Sequence, residues 1–331
     1  MSNYKPYYTL EEALQRVYDF ESLLAKHNID IREGSDLYRI SFNVLEYFEK
    51  HKNPALRDNK SDIRPFIREV LGFNDFIAKI YSLQDNTNFA MLLPHLQLMN
   101  TSSSIPMTTK SLVTDQGSNK LFELYIASLC MHCFDNVKIE NPSNSNAAPQ
   151  VRNPDIMFDF NKRRWAISCK VMHSDNIKTM MDTYAKGIDQ IKKCAADVGI
   201  VIISLRNIID YNELWPILNG EQFRRGAEPE FGAFVDIQIP VHMLAQYGIK
   251  IGDKMLADFG FDEFKRLYEN EKSVPGFLLF CQAATGVVDI TRSIPIPTIL
   301  KCFNIICNPE EITTELSEVL SRLNFIMQSV Q

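Results

Sequence analysis

The sequence predicts an α/β protein. Its core is an α-β-β-β-α-β unit in residues 118–215, after a helical N-terminal domain (1–100) and a linker (101–117). A mixed C-terminal extension, residues 216–331, completes the sheet and ends in a helix. Three observations carry this reading. Apolar residues in the first hundred positions recur at helical spacing. Two short runs flanking Asn161-Lys162 alternate with a period of two. Residues 198–205, VGIVIISL, form a continuous β-branched apolar run of the kind buried on both faces of a sheet.

The N-terminal helices follow from caps and periodicity. Thr9 and Glu12 make a T-x-x-E capping box, and Leu10, Ala13, Leu14, Val17, Phe20 and Leu24 follow on one face. Ser35 or Asp36 opens a second helix carrying Leu37, Ile40, Val44, Leu45 and Phe48. A third starts near Ser61 and continues through 76–83; residues 89–99 are apolar and interrupted by Pro94. Residues 101–117, rich in Ser and Thr with no surviving period, read as a linker or long surface loop.

The grammar then changes. Ser118 or Asn119 caps a helix over 120–133, and residues 137–140 are a short strand. A polar loop, 141–153, leads to strands 155–160 and 163–172 joined at Asn161-Lys162. An Asn at the first central position suits a type I′ hairpin turn. A helix over 174–195 precedes the apolar strand 198–205. Further on, 234–239 and 276–283 read as strands, and 241–256, 261–271 and 310–329 as helices.

Composition narrows the function. The 331 residues carry 35 Lys+Arg against 41 Asp+Glu, a net charge of −6, which argues against a protein coating nucleic acid through bulk positive charge. Any such contact needs a local basic groove, for which Lys162, Arg163, Arg164, Lys178, Lys186, Lys192, Lys193, Arg224 and Arg225 are the candidates. No apolar run is long enough to cross a membrane. Seven scattered cysteines, several inside apolar runs, suit reduced thiols and a cytoplasmic location. Cys130-x-x-Cys133, and Cys302 with Cys307, lack the paired spacing of a zinc site and read as buried thiols. His173 reads as a surface histidine.

The chemistry concentrates at the hairpin. With a turn at 161–162, Phe160 faces Arg163, Phe158 faces Trp165 and Ile156 faces Ile167, which sets Asp155 against Ser168. Alternation then puts Asp155, Met157, Ala166, Ser168 and Lys170 on one face. A carboxylate is a hard ligand for Mg²⁺ or Mn²⁺, and a neighbouring Lys can orient a water or stabilise phosphate charge. Glu123 and the Cys169 carbonyl are further oxygen ligands.

Pro154-Asp155, twelve intervening residues, then Ser168-Cys169-Lys170 resembles the PD-(D/E)XK nuclease superfamily. Its restriction-endonuclease-like core has the order α-β-β-β-α-β. The resemblance covers less than a third of the chain. It implies a Mg²⁺-dependent nuclease acting on DNA, by fold analogy in restriction or anti-phage defence. Residue by residue it makes Asp155 the motif aspartate, Lys170 the motif lysine, Glu123 the acid of the first core helix and Gln190 the glutamine of the second. The sequence departs from the pattern at Ser168, where the motif has an acid. Some members recover that carboxylate from the following helix, for which Asp182, and less closely Asp189, are the candidates. If the site is live but depleted, Ser168→Glu should preserve or raise activity. The alternative is an inactive nuclease-fold module that binds nucleic acid or a protein partner. The helical arms then serve a partner or a homodimer.

Overall fold

The computed structural model describes residues 9–53, 60–101, 105, 107–110, 116–142, 154–269, 271–289, 291 and 293–329. Helices α1 (Leu10–Lys26), α2 (Asp36–Lys52) and α3 (Arg64–Tyr81) open the chain. A 3₁₀ turn, Phe89–Leu92, leads into α4 (Leu93–Leu98). The Thr9–Glu12 capping box forms in full, and Ser35 caps α2 through the Tyr38 N–H. Pro94 opens α4 rather than breaking a helix, because its missing N–H costs nothing in a first turn.

The order α5 (Gln116–Met131), β1 (Asp135–Ile139), β2 (Ile156–Phe160), β3 (Arg163–Val171), α6 (Ile177–Lys192), β4 (Val198–Ser204) matches the expected run. The hairpin forms in the expected register, with Ile156 opposite Ile167, Phe158 opposite Trp165 and Phe160 opposite Arg163. Asn161 and Lys162 both take positive φ, 48° and 62°, as a type I′ turn requires. Short helices α7 (Tyr211–Leu214) and α8 (Gly220–Arg224) follow, then α9 (Gln238–Phe259), α10 (Phe261–Tyr268), β5 (Phe277–Asp289), β6 (Ile294–Ile306) and α11 (Thr314–Gln328).

Among the described residues six strands lie in chain order, β1 to β6, in one mixed sheet. The β3–β4 and β4–β5 pairs are parallel and the other pairs antiparallel. β4 is therefore interior, and all seven of its residues are buried. One face carries α6, α9 and α10 over Ala166, Val201, Ile203 and Leu279. The other carries α5, with α3 and α11, over Phe158, Trp165, Ile200 and Phe280. That second core is continuous with the helices before residue 100: Phe20, Phe73, Phe76 and Leu96 belong to it together with the sheet residues.

Three expectations are corrected. The segment 101–117 is no surface loop where it is described. Ile105, Met107 and Thr108 are wholly buried, and the Thr108 hydroxyl donates to the Arg68 carbonyl. Residues 234–239 are no strand; Phe234 makes a single bridge to Val287, and α9 begins at Gln238. β5 runs well past residue 283, because β6, unforeseen, pairs with it along its whole length. Pro295 and Pro297 disguise β6, and an edge strand is where prolines are tolerated. The loop 141–153 lies largely outside the described residues. Among the described residues no helix is long and apolar enough to cross a membrane.

Candidate active site

The hairpin register brings the motif residues together. Asp155 sits just ahead of β2, and its Oδ2 accepts the Cys169 N–H at 2.7 Å, which ties it to β3. Lys170, one residue on, lies 3.5 Å from the same oxygen. Its amine donates to Ser168 Oγ at 2.7 Å, Gln190 Oε1 at 2.9 Å and the Cys169 carbonyl at 3.1 Å. An ammonium has three protons, and here each has an oxygen.

Gln190 reaches down from α6. Its Oε1 also accepts the Ser168 hydroxyl at 2.8 Å, while its Nε2 donates to Asp155 Oδ1 at 3.2 Å. The helix comes this close because Gly187 has no side chain. A Cβ there would meet Val201 at 2.8 Å and Ser168 Oγ at 3.3 Å. Gln190 thus spans the space between Asp155 and Ser168.

Glu123 arrives from the opposite face of the sheet. Residues 121–130 of α5 are all buried, since the helix is wedged between the sheet and α3 and α4. Glu123 Oε2 accepts from Lys120 at 2.7 Å. Burial, reinforced by the nearby charge of Asp155, pushes the Glu123 carboxyl up to about 8 despite that ammonium. Burial opposes the charge of Lys120, but Glu123 and Asp155 outweigh it and hold the amine above its usual value. Glu140, after β1, feels the same group of charges, and burial raises its carboxyl too.

Two members of this cluster were not foreseen. Lys120 was legible only as an i, i+3 partner of Glu123. His95, in α4, had no signal beyond following Pro94, yet its Nε2 stands 3.8 Å from Glu123 Oε2.

Other expected residues lie elsewhere. Asp182 is exposed, eight residues before Gln190 and so about 12 Å up the helix axis. No described hydrogen bond or ion pair joins it to the cluster. Asp189 pairs with Lys193 at 2.6 Å. Among the candidate basic residues, Arg163 pairs with Glu315 and Lys192 with Glu271. Lys178, Lys186, Arg224 and Arg225 are exposed. His173 bonds to Asn207. All seven cysteines are thiols. Burial drives the Cys169 thiol far above its usual value, so only its carbonyl is a candidate ligand.

The donors are hard oxygens: the Asp155 and Glu123 carboxylates, the Cys169 carbonyl, the Gln190 amide and the Ser168 hydroxyl. Among the described residues no three His, Cys, Asp or Glu side chains group tightly enough to hold an ion alone. Mg²⁺ at phosphate-handling sites is held by one or two carboxylates, with waters and substrate phosphates completing the shell. Two carboxylates and a carbonyl fit that pattern. Comparison of the chain with family models, curated proteins and solved structures finds no match.

Proposed function

We propose that the chain is a divalent-metal-dependent nuclease on a restriction-endonuclease-like core, with DNA as its substrate. One observation supports this above the rest: Asp155, Ser168, Lys170 and Gln190 join in a single hydrogen-bonded cluster. They come from three separate parts of the fold, and Glu123 lies beside them. Asp155, Glu123 and the Cys169 carbonyl would hold Mg²⁺ or Mn²⁺. When bound, such an ion polarises the phosphodiester and acidifies a water. The Lys170 amine orients that water and offsets charge on the phosphate. Gln190 keeps Lys170 and Asp155 aligned through one side chain. Ser168 contributes a neutral oxygen, leaving the site one carboxylate short of the motif. A place in restriction or anti-phage defence rests on fold analogy alone.

A second reading has its own support. Lys120 and Lys170 already place two ammonium groups against Glu123 and Asp155, as a binding module without catalysis would. Cleavage of plasmid, single-stranded DNA and RNA with Mg²⁺ and with Mn²⁺ separates the two. The nuclease reading expects cutting that Asp155→Asn and Lys170→Met each abolish, with unchanged circular dichroism. DNA binding without cutting under every metal gives the module reading instead.

A further inference from the structure

The resemblance to nucleases says nothing about the helices before residue 100, yet one of their side chains reaches the site. His95 is wholly buried, and neither of its ring nitrogens has a hydrogen-bond partner among the described residues. Buried polar atoms are almost always bonded, so a ring with two unpartnered nitrogens marks a missing partner. Pro94 fixes the start of α4, and α4 packs on α5, so the imidazole is held against Glu123.

The separation is informative. His95 Nε2 and Glu123 Oε2 are 3.8 Å apart, too far for a hydrogen bond. It is within the span of two ligands on one ion, since bonds of about 2.0–2.2 Å allow up to about 4.3 Å between donor atoms. The spot already attracts a cation: Lys120 Nζ lies on the same Oε2, and Asp155 and Glu140 add acidic groups beside it, against which Lys170 is the other nearby ammonium.

We propose that His95 is a metal ligand of this site, paired with Glu123, and that its nitrogen makes the site prefer a first-row transition cation over Mg²⁺. The inference rests on Glu123 being a metal-binding carboxylate, as in the nuclease reading. Mg²⁺ takes oxygen ligands, whereas a neutral imidazole binds transition ions. An entering ion displaces the Lys120 amine from Glu123, and α4 becomes part of the active site.

Pulsed electron paramagnetic resonance of the full chain loaded with Mn²⁺ tests this without any activity assay. Expected is a nitrogen coupling in the spin echo that changes when histidine alone is ¹⁵N-labelled, persists in His173→Gln and disappears in His95→Gln. His95→Gln should also weaken Mn²⁺ binding by roughly ten- to a hundredfold, while leaving Mg²⁺ binding nearly unchanged. Mn²⁺ bound without a histidine nitrogen in the wild type overturns the inference and leaves the nuclease reading standing. No binding of Mn²⁺ or Mg²⁺ at all overturns both. The wild-type spectrum distinguishes these outcomes even if His95→Gln fails to fold.

Discussion

Glu123 keeps its proton at pH values where an unfolded glutamate has lost it. Its carboxyl is raised from 4.5 to about 8, so between those values the unfolded chain ionises first. Stability present below pH 4.5 is therefore lost as pH rises through that window. Glu123→Gln cannot ionise and is expected to gain on the wild type over the same range, by a few kcal/mol at most. Melting curves from pH 4 to 9 check this; parallel profiles would sink it. Ser168 gives a second test. Its hydroxyl is wholly buried against Lys170, Gln190 and Gly187, so Ser168→Glu overpacks the site rather than restoring a ligand. A loss of about 1–3 kcal/mol is expected, with no gain in cleavage at low Mg²⁺. Asp155, Lys170 and Gln190 were legible because a tight hairpin and the next helix place them by local rules. Glu123 was legible as an acid on the first core helix. His95 was not, because no sequence period says which neighbour a six-residue helix will meet.

Among the elements, the hairpin is the one its residues specify most fully. Asn161 tolerates the left-handed conformation, but Lys162, at φ 62°, does so at a cost. Lys162→Gly should raise stability by about 1 kcal/mol in chemical denaturation, and leave Asp155 and Lys170 in register. Helix α6 depends on a close approach instead. Gly187→Ala drives a methyl into Val201 and Ser168, and should cost about 1–3 kcal/mol while lifting Gln190 off Lys170. If it melts with the wild type, the contact is looser than described. β6 escaped notice because its burial is patchy and its prolines mimic a loop; only pairing to β5 makes it a strand. The stretch after residue 100 misled for the opposite reason. Its Ser and Thr look like solvent-facing loop, yet the arrangement of α3 buries Ile105, Met107 and Thr108.

Across the molecule the N-terminal helices and the last two strands are bound through a buried charge. Asp75 of α3 accepts from Lys301 of β6 at 2.7 Å, and from Tyr125 and Gln282 at 2.9 Å. Burial opposes its charge, but Lys301 and Lys79 outweigh it and hold the carboxyl below its usual value. Asp75→Ala strands two buried ammonium groups and should cost about 3–5 kcal/mol in denaturant unfolding. Lys79, buried beside it, donates to the Ser329 carbonyl past the end of α11. These ties have a meaning in time. Every side chain of the cluster, His95 to Gln190, is polymerised before Lys301 and Ser329. At 5–20 residues per second, Lys301 is added roughly 6–22 s after Gln190 and Ser329 roughly 7–28 s after it. Until then Asp75 and Lys79 of α3 lack these two partners. The side chains of the candidate site are thus made well before the residues that tie α3 to the end of the chain.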